Sequence, residues 1–310
     1  MTNVGEAPLV SVVLPTRGRP ELVRLSIKGV VDQDYTGDIE LVVVHDQEAV
    51  DPSLMELSSP RRHVIVVQND GPAGLAAARN AGLAHTTGTF VASCDDDDVW
   101  HSPKIRLQVA RMLAEPELVV LGTGIRLVMD GDRTVDWPGD SPVISRADLL
   151  RSRRKELHSS TLMMRRAAFE HAGGYDEALP ASYGEDYEWL LRLCRYGTVG
   201  VINIPLADIR KNTGSWFRER SLIVATALEY LLAKHPEIAE SRAGHARILG
   251  QVAFARATLG ERGAAMAWAL RAFGRWPIAP HAALAVLTAG TGLDAQRALR
   301  LARVFGRGLT

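Results

Sequence analysis

The chain has 310 residues, 46% of them apolar and 23% charged, which suits a globular protein with a sizeable core and argues against a disordered or fibrous one. Lys plus Arg and Asp plus Glu stand at 36 each, so no global charge points to nucleic acid or to an anionic membrane as partner. Cys94 and Cys194 both lie in apolar patterns, there is no basic-then-apolar leader, and no run reaches about 18 uncharged apolar residues; these argue against a disulfide framework, a signal peptide and a membrane span, and fit a cytoplasmic location.

In chain order, LVSVVLP (9–15) reads as a strand buried on both faces, because it is β-branched and apolar without alternation. Pro20 suits the first turn of a helix carrying Leu22, Val23, Leu25, Ile27 and Val30. Two more such strands follow, IELVVVHD (39–46) and HVIVVQND (63–70), then a turn and an Ala-rich helix over 71–88. TFVASC (89–94) is the fourth strand, and it runs into Asp95, Asp96, Asp97 and Asp98. Strands alternating with helices imply an α/β fold with a mostly parallel sheet flanked by helices. In such sheets ligands bind beyond the carboxyl ends of the strands, where Asp46, Asp70 and the Asp run would share one rim.

Two like charges ~4 Å apart repel by about 1 kcal/mol in water and about 4 kcal/mol at an effective dielectric of ~20, so the run needs an explanation. In an extended segment Asp95 and Asp97 face one way and Asp96 and Asp98 the other, and a carboxylate pair at i and i+2 suits a hard cation such as Mg²⁺ or Mn²⁺. The alternative is a solvated turn that caps the helix expected over 103–113.

The second half reads as strands over 117–130 and 133–137, a helix with a basic end over 145–156, a strand over 158–166 and a helix over 185–197. A last strand spans 198–210. From about 216 the chain turns to helical stretches rich in Ala, Leu and Arg, broken at Pro236, Gly260, Pro277 and Gly292. One piece, ARATLGERGAAMAWALRAF, resembles a single helix–turn–helix unit of a tetratricopeptide array. The expected organisation is therefore a sheet domain over 1–215 and a helical region over 216–310.

Five motifs stand in order: VVLPTRGRPEL, VVVHD, GPAGLAAARNAGL, DDDDVW, and GGYDE followed by GEDYEWLLRL. Together they are similar to the motifs of family 2 glycosyltransferases of the GT-A (Rossmann-like) fold, and the chain from about 9 to 215 resembles that family. The resemblance implies an inverting, divalent-metal-dependent transferase that moves a sugar from a nucleotide-diphosphate sugar, a UDP-sugar first, to an acceptor hydroxyl or amine. It implies that Asp95 and Asp97 hold Mn²⁺ or Mg²⁺ and the donor diphosphate, with Asp98 as an alternative ligand and Asp96 beside them. Pro15, Thr16 and Arg17 would line the nucleotide, Asp46 would accept from the base, and Arg79 would reach the diphosphate or brace the acidic rim. Asp186 would be the general base, with Glu185 beside it; the plain alternative is that both acids cap a helix.

Three positions depart from the family pattern: Arg17-Gly18 replaces Tyr-Asn, His45-Asp46 replaces two acids, and Asn212 stands at a His position. They bear on which nucleotide is bound, since an Arg plane would replace an aromatic for stacking on the base. His158 is either a donor-sugar contact or a satisfied strand histidine. Arg151, Arg153, Arg154 and Lys155 are either a solvated helix end or a contact for a phosphorylated acceptor. Beyond residue 260 seven Arg face Glu261 and Asp294, so the tail offers a peripheral membrane or protein contact at the inner membrane face, or is simply solvated. The acceptor is open among saccharide, natural product, lipid-linked and peptide classes. A sugar-nucleotide pyrophosphorylase and a catalytically dead scaffold on the same fold remain the alternative functions.

Overall fold

All seven residues of β1 (Val10–Thr16) and all eight of β2 (Ile39–Asp46) are buried, as expected of strands covered on both faces. The computed structural model describes residues 7–129, 133–210 and 217–291. Asn212, and the Arg-rich end of the tail beyond 291, lie outside the described residues.

β1 pairs in parallel with β2 on one side and with β4 (Phe90–Ser93) on the other, and β2 pairs in parallel with β3 (Arg62–Asn69). α1 (Pro20–Val31) joins β1 to β2, α2 (Leu75–Leu83) joins β3 to β4, and α3 (Lys104–Ala114) leads into the second half of the sheet. Then come β5 (Val99–Trp100), β6 (Leu118–Val128), β7 (Thr134–Trp137), β8 (Val143–Ile144), α4 (Arg146–Arg151), β9 (Met163–Arg165), α5 (Arg166–Ala172), α6 (Glu185–Leu193) and β10 (Thr198–Arg210). The sheet order is β3-β2-β1-β4-β9-β6-β10-β5. β9 runs antiparallel between β4 and β6, so two parallel blocks flank one reversed strand. Between β1 and β4 the strand order changes direction, which opens a crevice at their carboxyl ends.

Four local expectations are corrected. The Asp run is not extended: the Asp98 amide donates to the Asp95 carbonyl at 3.2 Å, closing a turn that leads into β5. β3 ends at Asn69, which is buried, while Asp70 is exposed and does not join the rim. The strand expected over 158–166 is only β9, because Ser159–Thr161 form a 3₁₀ turn whose first amides are capped by His158. The basic helix over 145–156 stops at Arg151, and a separate 3₁₀ turn, Lys155–Leu157, places the Lys155 ammonium 4.2 Å above the Trp137 ring.

The chain divides into two compact units: the described residues of Met1–Arg146, Arg154–Glu177 and Glu185–Thr213 form one, and those of Ala147–Arg153, Ala178–Gly184 and Gly214–Thr310 the other. The second contains α7 (Phe217–Lys234), α8 (Arg242–Thr258), α9 (Arg262–Arg275) and α10 (Pro280–Thr291). No helix among the described residues is long and apolar enough to cross a membrane.

The helical unit packs on small residues, with Ala246, Ala253, Ala265, Ala269, Ala282 and Ala285 all at its centre. Small side chains let helix backbones approach closely, and Gly250 of α8 faces the start of α10: a Cβ there would lie 2.9 Å from the Ala282 amide nitrogen. Backbone cannot yield as a side-chain tip can, so Gly250→Val is expected to destabilise the protein by about 1–3 kcal/mol. Chemical denaturation checks this, and an unchanged midpoint would mean that the helices are not packed at this separation.

Candidate functional site

The rim is built by three strand ends. β1 delivers Thr16, after which Gly18 takes a positive φ of 66° and its amide donates to Glu48 Oε2 at 2.7 Å before α1 begins. β2 delivers Asp46, whose carboxylate accepts from Asn69 Nδ2 at 2.8 Å and from the Gly74 amide at 3.1 Å. The Arg17 guanidinium, largely solvent-exposed, stands 3.7 Å from the same carboxylate. β4 delivers the acidic turn.

Every carboxylate of that turn has a partner. Asp96 accepts from Thr16 Oγ1 and from Arg19 Nη1, both at 2.8 Å, and the same Arg19 nitrogen reaches Asp97 at 3.0 Å. Asp95 accepts from Arg79 Nη2 at 2.6 Å and from Ser159 Oγ at 2.7 Å. Asp98 is buried and accepts from Ser160 Oγ at 2.5 Å and from the Arg210 amide at 3.1 Å. Ser160 Oγ in turn receives the Asp95 amide at 3.0 Å, so one hydroxyl ties both ends of the turn.

The turn therefore carries unequal carboxyls. Burial works against ionisation of Asp95, yet Arg79, His158 and the Ser159 hydroxyl outweigh it and hold its pKa below the ordinary value. Burial pushes Asp98 well above its ordinary value, and the charge of Asp95 adds to this. Burial also raises Asp96, despite its bonds to Thr16 and Arg19. Asp95, Asp98 and His158 each offer a ligand atom, and these atoms lie within 4.8 Å of one another. Two hard oxygens and one imidazole nitrogen are a donor set that Mn²⁺ accepts, and a cation there would relieve the repulsion that raises Asp98. The pair brought together is thus i and i+3, joined by His158, while Asp97 faces Arg19.

Arg79 lies beneath the rim, 1% exposed, and forks between Asp95 and Glu185, to which its Nη1 donates. The two acids outweigh the burial that opposes its charge, so its pKa is raised. Burial raises Glu185, with Asp186 adding to the effect and Arg79 opposing it. The Tyr175 ring covers the guanidinium at 5.2 Å and packs on Trp189, 4.0 Å between centroids. Asp186, buried at the start of α6, accepts from the Tyr187 amide at 2.6 Å.

A cleft of about 380 Å³ opens on this rim, lined by Pro15, Thr16, Arg17, Arg19, Asp46, Leu75, Ala78, Asp95, Asp96 and Asp97. The expected nucleotide-side residues thus meet in one place, apart from Arg79, which lies below the surface. Glu185 reaches Asp95 through Arg79, and Asp186 is not part of the cleft lining. Arg19, Asn69, Ser159 and Ser160 were not anticipated; only the run of hydroxyls in HSST, set against an apolar segment, hinted at the last two.

The family model described as Glycosyl transferase family 2 matches residues 11–173, more than half of the chain. An Escherichia coli relative, the UDP-Glc:alpha-D-GlcNAc-diphosphoundecaprenol beta-1,3-glucosyltransferase WfgD, is 30% identical over 105 residues, which is 34% of this chain; the chain spans only 41% of that relative's length. The S. aureus TarS 1–349 crystal structure in complex with UDP superposes with a TM-score of 0.61 at 18% identity over 92% of each chain. The mannosyltransferase PcManGT from Pyrobaculum calidifontis, in complex with GDP-Man and Mn²⁺, gives 0.56 at 20% identity over 97% of this chain and 87% of that one. These likenesses bear out the expected GT-A architecture.

Removing Arg79 would leave Asp95 and Glu185 facing each other without a cation. Arg79→Met is therefore expected to cost about 3–5 kcal/mol of stability, the cost of breaking a buried ion pair from one side. Arg79→Lys, which keeps the charge but loses the fork, should fall between. Urea titration checks the order, and a methionine variant as stable as the wild type would mean the fork does not hold the turn.

Proposed function

The chain belongs to glycosyl transferase family 2, and from that premise we propose that it transfers a sugar from a nucleotide-diphosphate sugar to an acceptor hydroxyl or amine, with inversion and with a divalent cation. The observation that carries the reading is the acidic turn at the sheet's switch point, where Asp95, Asp98 and His158 converge beside a cleft of fitting size. TarS with UDP and PcManGT with GDP-Man and Mn²⁺ support it. A UDP-sugar is the first donor to test, as the WfgD name also suggests.

In this reading Asp95 and Asp98, with His158, hold Mn²⁺ or Mg²⁺, and Asp97 is a further ligand. When bound, the cation would neutralise charge that grows on the departing diphosphate. Pro15, Thr16 and Arg17 line the nucleotide, and Asp46, fixed by Asn69 and Gly74, presents a carboxylate to the base. Arg19 spans Asp96 and Asp97 with its side chain 43% exposed, so its ion pairs are weak enough to exchange for a diphosphate oxygen.

The acceptor oxygen or nitrogen forms a bond to the anomeric carbon as the bond from that carbon to the diphosphate oxygen breaks. The nucleoside diphosphate leaves with the electron pair, and the acceptor's proton passes to the Asp186 carboxylate. Glu185, bound to Arg79, positions α6 relative to the turn and is not free to take that proton. No observation favours a pyrophosphorylase.

Asp186→Asn keeps the shape and the bond from the Tyr187 amide but cannot accept a proton. Turnover is expected to fall by about 10²–10⁴-fold, the usual worth of a general base, with UDP affinity in Mn²⁺ within a few-fold of wild type. Steady-state transfer assays beside calorimetric UDP titrations check both arms. Turnover close to wild type would remove Asp186 from the mechanism, and equal UDP affinity with and without chelator would remove the cation.

A further inference from the structure

The helical unit contains a second cavity, of about 240 Å³, with a lining of mixed character. One side is basic and polar: Arg151, Ser152, Arg247 and His281. The other is apolar and prominent: Trp276 is 41% exposed and Ile278 76% exposed, within the stiff sequence WPIAP. No carboxylate lines it among the described residues. From Arg242 to Thr291 the chain holds six Arg against the single acid Glu261, and Glu261 is paired with Arg256, which also holds Glu229.

The polar side is built rather than incidental. Gly244 lets α8 press against the end of α4, where a Cβ would meet the Leu150 carbonyl at 1.9 Å. Across this junction Arg247 Nε donates to the Arg151 carbonyl at 3.2 Å and its Nη1 to Gln251 Oε1 at 3.2 Å, which sets the guanidinium's direction. Burial, with Arg247 beside it, holds the His281 pKa down to about 4, so at neutral pH this imidazole is an uncharged hydrogen-bonding group.

We propose that this cavity binds the headgroup of an anionic phospholipid, with Arg151 and Arg247 on the phosphate and Trp276 and Ile278 entering the acyl region of the bilayer surface. Charge complementarity selects an anion, and the apolar side selects one that carries hydrocarbon. A large aromatic and an aliphatic side chain held out into water beside two guanidinium groups have the composition of an interfacial anchor. The proposal is independent of the donor chemistry of the sheet unit.

The test is co-sedimentation of the full chain with vesicles of phosphatidylcholine alone and of phosphatidylcholine mixed with phosphatidylglycerol. Binding is expected to the mixed vesicles only. Arg151→Gln should weaken it roughly fivefold, the surface worth of one Arg near an anionic leaflet. Ile278→Ser combined with Trp276→Ser should abolish it, with melting temperatures of both variants showing retained fold. Four results would overturn the proposal: no binding to mixed vesicles, equal binding to phosphatidylcholine, variants that bind as wild type, or release from the vesicles by inorganic phosphate at matched phosphorus concentration. The third would assign the contact to another surface, and the fourth would make the ligand a soluble anion.

Discussion

The buried guanidinium of Arg79 is the constraint on which the rest of the site depends. It comes from α2, and it meets the turn after β4 through Asp95 and the start of α6 through Glu185. α2, the turn after the strand that follows it, and the remote α6 are thereby fixed to one planar group. Desolvating an arginine is costly, and only two carboxylates at hydrogen-bond distance make its charge stable there. The same contact explains how Asp95 stays ionised beside three other carboxyls, and why α6 presents its first turn to the rim.

Around that anchor, charge is distributed rather than cancelled. Arg19 serves Asp96 and Asp97, Ser159 and Ser160 serve Asp95 and Asp98, and Asp98 is left with a raised pKa because burial and Asp95 both oppose its ionisation. A protein held this way keeps a local excess of negative charge that a divalent cation can relieve. The hydroxyls orient the carboxylates without neutralising them, which is the property a cation site needs.

The strands and the rim were legible because uninterrupted β-branched runs followed by helices leave few arrangements other than a covered, mostly parallel sheet. Asp46 and the Asp run could be gathered at one edge from that alone, whereas Thr16 and Arg79 enter only through the family resemblance, which leaves Arg79 open between the diphosphate and a brace. The register of the Asp run was not legible. Alternation by face holds only for extended chain, and a hydrogen bond from the Asp98 amide to the Asp95 carbonyl converts an i, i+2 pattern into an i, i+3 one. Asp70 looked like a rim residue because the strand was read one position too long, whereas Asn69 does the work of holding Asp46. Ser159 and Ser160 were hidden in a segment read as strand, and their role depends on β9 entering the sheet in reverse next to β4, a topology that no local pattern encodes.

The central claim is that the acidic turn, pinned by Arg79, is a site for a divalent cation and a nucleoside diphosphate. Anomalous diffraction from crystals grown with Mn²⁺ and UDP tests it most directly. The account predicts a manganese peak between Asp95, Asp98 and His158, with the diphosphate in the cleft beside Thr16. A peak elsewhere, or UDP bound in the cleft with no manganese at the turn, would contradict it.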